Sequence, residues 1–228
     1  EKFWSYLMTP EFKKRLFTSI LLAFLLLSMY LYSFIMIISV VIIMIISWVE
    51  FHHLISRIFI KSESKYKLFK FIYKSIFLSY LFLLTLLILY VESNRPDLKI
   101  FIIYSLLISI LSDLGGLIFG KLLKGPKLTK ISPKKTISGS IGSFISALLL
   151  IPFFSYFIDM YGFFFLIMIT LSISLVSQFG DLVISFIKRK ANVKNTSNVL
   201  PGHGGILDRI DGIIFAVPFG FLILNLFK

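Results

Sequence analysis

Between Leu16 and Val49 the chain runs for 34 residues without a charged side chain. As a single helix that stretch would be about 51 Å long, against a bilayer hydrocarbon core of roughly 30 Å. Two short crossings joined by a tight turn near Met29 to Ser33 fit it better. Further apolar runs follow at Phe71 to Val91, Ile100 to Gly120, Gly139 to Ile158, Phe163 to Ile187 and Gly212 to Phe227, each long enough to cross. None alternates apolar and polar residues as a barrel strand would, and in lipid a helix satisfies its backbone polar groups within the segment. The pattern predicts an all-α, polytopic helical membrane protein with about seven transmembrane helices.

Composition sharpens this picture. Of the 228 residues 57% are hydrophobic and only 15% charged, whereas soluble domains carry about 25% charged residues. A water-soluble globule is excluded. The formal net charge is +13, and its placement sets an orientation. With the N-terminus in the cytoplasm, every Lys and Arg except Arg95, Lys99 and Lys228 falls in or beside an inside segment, as the positive-inside rule requires. The excess therefore reads as basic loops at an anionic membrane face, with no nucleic-acid partner. Lys13-Lys14-Arg15 leads into an apolar stretch without a small-residue cleavage site, so this segment is expected to anchor the chain rather than be removed. The first residue is Glu1 rather than Met, and residues ahead of it are expected. No repeat or linker divides the apolar segments, which predicts a single integral-membrane domain over residues 1–228. Without Cys, metal chemistry must use oxygen or His.

The inside loops at Lys121 to Ser138 and Lys188 to Asp211 hold the chemistry-bearing residues, which places the active site at the cytoplasmic face. Ser132-Pro133-Lys134-Lys135-Thr136 is a basic segment able to hold phosphate oxygens, or simply a positive-inside loop. Asp113 lies within an apolar run, where an acid needs a polar cavity or a partner. Asp181, Ser185 and Lys188 follow an i, i+4, i+7 spacing and would share one helix face. Asp208 and Asp211, three apart, would also share a face, with Arg209 pointing elsewhere. Two acids so close invite a cation, and an oxygen-rich set favours magnesium over zinc; the alternative is a solvated helix start. Pro201-Gly202-His203-Gly204-Gly205 can bring backbone N–H groups up to a phosphate. With Lys188, Arg189 and Lys194 upstream, the assembly suits phosphoryl or nucleotidyl transfer. His52 and His53, beside Trp48 at a span end, read as interfacial.

Ser185-Phe186-Ile187-Lys188-Arg189, Lys194, Ser197, Pro201, His203-Gly204-Gly205, Asp208-Arg209 and Asp211 together resemble the signature of the phosphatidate cytidylyltransferases, or CDP-diacylglycerol synthases. Gln178, Gly180-Asp181-Leu182, Ser132 to Thr136, Asp113, Gly115, Phe119 and Gly120 look like the same pattern, which covers roughly residues 111 to 217. Asn195, Ile184 and Ser138 stand where that family usually has an acid. The resemblance divides the domain into N-terminal spans (1–110) and catalytic spans with the signature loop (111–228). It implies transfer of CMP from CTP to phosphatidic acid in the bilayer, giving CDP-diacylglycerol and pyrophosphate.

The resemblance further implies Mg2+, with a second cation in a dinuclear site on Asp181 and Asp208, supported by Asp211. Lys194 and His203 join these acids as catalytic candidates. Lys134, Lys135, Lys188, Arg189, Arg209, Gly202, Gly204, Gly205 and Asp113 are the substrate-binding candidates. A homodimer in the cell (inner or plasma) membrane is implied as well. A catalytically degenerate lipid- or CTP-binding relative and a CTP-dependent lipid kinase are the alternative readings. A transporter would instead show inverted repeats and broken helices at mid-membrane.

Overall fold

In a computed structural model the chain is helical, and the residues described are 10–59, 64–129, 132, 133, 135–157 and 162–227. Lys134 lies outside them. The long uncharged stretch divides into α1 (Pro10–Leu31) and α2 (Ser33–Ile58). The break falls at Tyr32, whose backbone leaves the helical region (φ −125°, ψ 108°). It lies within the turn expected from length alone. The order continues with α3 (Ser64–Asn94), a 3-10 turn (Pro96–Leu98), α4 (Lys99–Leu123), α5 (Ile137–Leu148), α6 (Ile151–Phe154), α7 (Phe163–Lys190), α8 (Leu207–Ile210) and α9 (Ile213–Leu226).

Among the described residues five helical segments are long and apolar enough to cross a membrane: Ser33–Ile58, Tyr66–Asn94, Pro96–Leu123, Ile137–Phe154 and Phe163–Lys190. The remaining two expected crossings are shorter, with an apolar stretch of Leu16–Leu31 in α1 and the 14 residues of α9. The fold is that of an all-α polytopic membrane protein. Its lipid-facing character shows in the many exposed large apolar side chains, such as Phe24 at 69% and Phe82 at 61%. In water such surface would drive aggregation, whereas in a bilayer it is solvated. The expected run from Gly139 to Ile158 is interrupted after Leu148 because Pro152, near the start of α6, has no N–H to return to the Leu148 carbonyl.

The chain forms two compact units, one of residues 1–89 with 190–209 and the other of residues 90–189 with 210–228. In the first, α1 packs against α2. In the second, α4 packs against α5 and α9. Helices surrounded by lipid gain little from apolar burial against each other, so close backbone approach and interhelical hydrogen bonds take over. A Cβ at Gly142 of α5 would run into the Phe119 side chain of α4. Buried hydroxyls join α4 to α7: Tyr104 to Thr170 at 2.5 Å, Ser109 to Ser177 at 2.7 Å and Ser112 to Ser174 at 2.7 Å. This seam runs down the unit toward Asp181.

Candidate active site

The loop between α4 and α5 is held in shape before it presents a charge. Leu128 N–H donates to Lys135 O (2.8 Å), Ile137 N–H to Pro126 O (3.0 Å), and the Thr136 hydroxyl accepts from Gly139 N–H (3.1 Å) to cap α5. Lys135 thereby stands at a fixed point, and its Nζ pairs with Asp181 Oδ2. One turn further along α7, Ser185 Oγ donates to Asp181 Oδ1 at 3.2 Å. Lys188, another turn on, reaches Asp211 Oδ2 at 3.8 Å. Asp181, Ser185 and Lys188 do lie on one helix face.

Asp211 is buried at 5% exposure, just ahead of α9. Burial pushes its carboxyl well above the ordinary carboxylate range, the negative charges of Asp181 and Asp113 push it the same way, and Lys188 opposes them. Asp113 itself has an exposed side chain on α4, so it adds charge to the group without being enclosed. Arg189 is exposed at the end of α7. Three carboxylates and two lysines thus share one region of the second unit.

The signature loop belongs to the first unit. Asp208 Oδ2 accepts from Thr196 N–H (2.8 Å) and Gly205 N–H (3.0 Å) and lies 3.0 Å from Thr196 Oγ1, whose one proton it shares with Glu50 Oε2. Leu200 and Gly204 pair across the turn, with Leu200 N–H to Gly204 O at 2.8 Å and Gly204 N–H to Leu200 O at 3.1 Å. The N–H groups of Gly204 and Gly205, expected to face a phosphate, are therefore engaged inside the loop. Gly202 at the exposed tip has φ +76°. Thr18 Oγ1 of α1 lies 2.5 Å from His203 Nδ1, and Arg209 Nη2 donates to His203 O at 2.9 Å. Lys194 is exposed.

Asp208 and Asp211 do not share the face of a continuous helix, because α8 is a single turn ending at Ile210. The Asp208 carboxylate is drawn back onto its own loop, while Asp211 lies beyond the turn and faces Lys188. Sequence reading passed over one more acid. Glu50 of α2 is 3% exposed and accepts hydrogen bonds from Thr196, Ser197, Ile206 and Leu207. The available signal was its position between the uncharged run and Phe51, Leu54 and Ile55, which keep the segment apolar. Among the described residues, no group of three or more His, Asp or Glu side chains is arranged to hold a metal ion.

Membrane-crossing helices that bring two lysines against two aspartates, with a Gly-containing loop after the last long span, define a polytopic membrane protein with a charged side-chain cluster. A family profile described as "Cytidylyltransferase family" matches residues 3–227. The chain belongs to that family. It is 41% identical over 132 residues to a phosphatidate cytidylyltransferase of Staphylococcus haemolyticus, covering 57% of this chain and 51% of that protein. Against the enzyme of the same name from Rickettsia bellii it is 41% identical over 149 residues, 62% of this chain and 64% of the relative. The Bacillus subtilis counterpart is 41% identical over 130 residues, 56% of this chain and 48% of that protein. The matched part is thus about half to just under two thirds of each relative's length.

Proposed function

We propose that this chain is a phosphatidate cytidylyltransferase: a phosphatidate oxygen forms a bond to the α-phosphorus of CTP as the bond to pyrophosphate breaks. The observation that carries the reading is the Lys135–Asp181 and Lys188–Asp211 pairing in a family whose relatives bear that name. Two polyanions must approach each other, so the chemistry is mostly positioning and charge stabilisation. Lys135 and Lys188 are ammonium groups already held beside carboxylates. They exchange those partners for phosphate oxygens when substrate arrives. Arg189, exposed at the end of α7, offers charge to the incoming triphosphate.

The donor set fits magnesium in its chemistry: it is all oxygen, and the buried Asp211 carboxyl is burdened by two neighbouring acids, a burden a divalent cation would relieve. Asp181 and Asp211 would hold the ion, which supplies charge neutralisation on the phosphates when bound. Asp208, also assigned to metal by the resemblance, has the further duty of organising its loop. The site is read as cytoplasmic, where CTP is dissolved, while acyl chains stay in the bilayer, since each methylene transferred to water costs about 0.8 kcal/mol. A homodimer is part of the same reading.

Purified protein in mixed micelles with CTP, phosphatidate and magnesium is expected to form CDP-diacylglycerol, and EDTA to abolish the product. Asp181→Asn should lower turnover by about 100-fold or more. Phosphatidate recovered unmodified from folded protein would refute the proposal, and a product carrying only an added phosphate would assign the chain to CTP-dependent lipid kinases. Native mass spectrometry from micelles reads the subunit number.

A further inference from the structure

Glu50 lies eight residues before the end of α2, about 12 Å of helix from that end. An acid at such a position in a spanning helix is costly unless its charge is met. Here it is met by one loop. Oε1 accepts from Ser197 Oγ at 2.5 Å and Ile206 N–H at 3.0 Å, and Oε2 from Thr196 Oγ1 at 2.8 Å and Leu207 N–H at 2.8 Å. An ionised carboxylate offers about four acceptor sites, and three donors of its own with the Thr196 hydroxyl shared with Asp208 occupy most of them. The contacts reach both ends of the loop, Thr196–Ser197 on entry and Ile206–Leu207 on exit. A Cβ at Gly205 would run into Thr196 Oγ1 and lie 2.5 Å from Glu50 Oε2 and 2.6 Å from Oε1, so a side chain there would break the Thr196–Glu50 contact. Thr18 of α1 adds a second hold through His203 Nδ1.

We propose that Glu50 is a positioning residue for the signature loop: its carboxylate ties the loop's entry and exit to an N-terminal membrane helix, fixing where Lys194, His203 and Asp208 stand. It acts through the loop and touches no substrate. The activity arm of its test rests on the cytidylyl-transfer reading, whereas the exchange arm does not.

The decisive variant is Glu50→Gln in the full chain in micelles. A glutamine keeps the shape, and the Ser197 and Thr196 hydroxyls can reverse their roles toward its NH2. The Ile206 and Leu207 N–H groups cannot, so one of them loses its acceptor. Hydrogen exchange should then accelerate about tenfold or more in peptides spanning 195–208 while those of α4 and α7 stay as in the wild type. Turnover should fall about tenfold or more with KM for phosphatidate unchanged, the mark of lost orientation rather than lost lipid binding. Glu50→Asp, which keeps the charge one methylene short, should recover part of both. Adding Ser197→Ala to Glu50→Gln should cost less than it does alone, since both act on one contact.

Unchanged exchange at 195–208 would overturn the proposal. So would acceleration spread over all helices, because Glu50 would then support the fold generally. If the wild type forms no CDP-diacylglycerol but Glu50→Gln loosens this loop alone, the loop tie stands and only the activity reading fails.

Discussion

Burial and the neighbouring Asp181 and Asp113 favour the protonated form of Asp211, and Lys188 at 3.8 Å opposes them. Removing one member of a buried pair leaves an uncompensated charge and costs about 3–5 kcal/mol. A carboxyl already pushed up can take a proton instead, so Lys188→Met, which removes the one group holding Asp211 down, should lose more stability as pH rises than Asp211→Asn, which has no carboxyl to titrate there. Thermal unfolding in micelles checks the order of the two. At Gly205 the constraint is steric. Gly205→Ala should weaken the protection of the Thr196 to Leu207 segment as Glu50→Gln does, and hydrogen exchange would show otherwise if the Glu50 carboxylate can shift. The Asp181, Ser185 and Lys188 face was legible because helical spacing is a local property. Glu50 was not, since its partners lie 146 to 157 residues away and its apolar neighbours mark only that it is embedded, not what meets it. Ile184, at a position where an acid is usual in the resembling family, is 1% exposed; here the site is part of the apolar packing of α7.

Helix breaks in this protein have different causes. The α1–α2 break at Tyr32 follows from length alone, so the hydrophobic pattern foretold it. The α5–α6 break follows from Pro152. It was missed because composition kept the run apolar through Ile158, although the proline was present to be weighed. The single turn of α8 could not be foreseen from residue spacing, because the hydrogen bonds that pull Asp208 back come from Thr196, twelve positions earlier. Close packing makes its own demand at the α4–α5 crossing. Gly142→Val should force Phe119 aside and destabilise by about 1–3 kcal/mol, read as a lowered unfolding temperature in micelles; Gly142→Val with wild-type stability would mean that the helices can separate without loss.

The molecule's orientation is testable because its sequence contains no cysteine, so single substitutions report without background. Ser93→Cys, exposed at the end of α3, and Lys127→Cys, exposed in the loop after α4, lie at opposite ends of α4. In inside-out vesicles a membrane-impermeant maleimide should label Lys127→Cys and spare Ser93→Cys, and the reverse pattern would invert the topology. That orientation is the one charge placement predicts, from a count of lysines and arginines per loop. Glu50 carries a consequence in time. Synthesis at about 5–20 residues per second separates it from Thr196, 146 positions later, by roughly 7–30 s at those rates. Through that interval the nascent α2 carries an acid whose eventual donors have not yet been synthesised, so its hydrogen bonds are among the last of this unit to form.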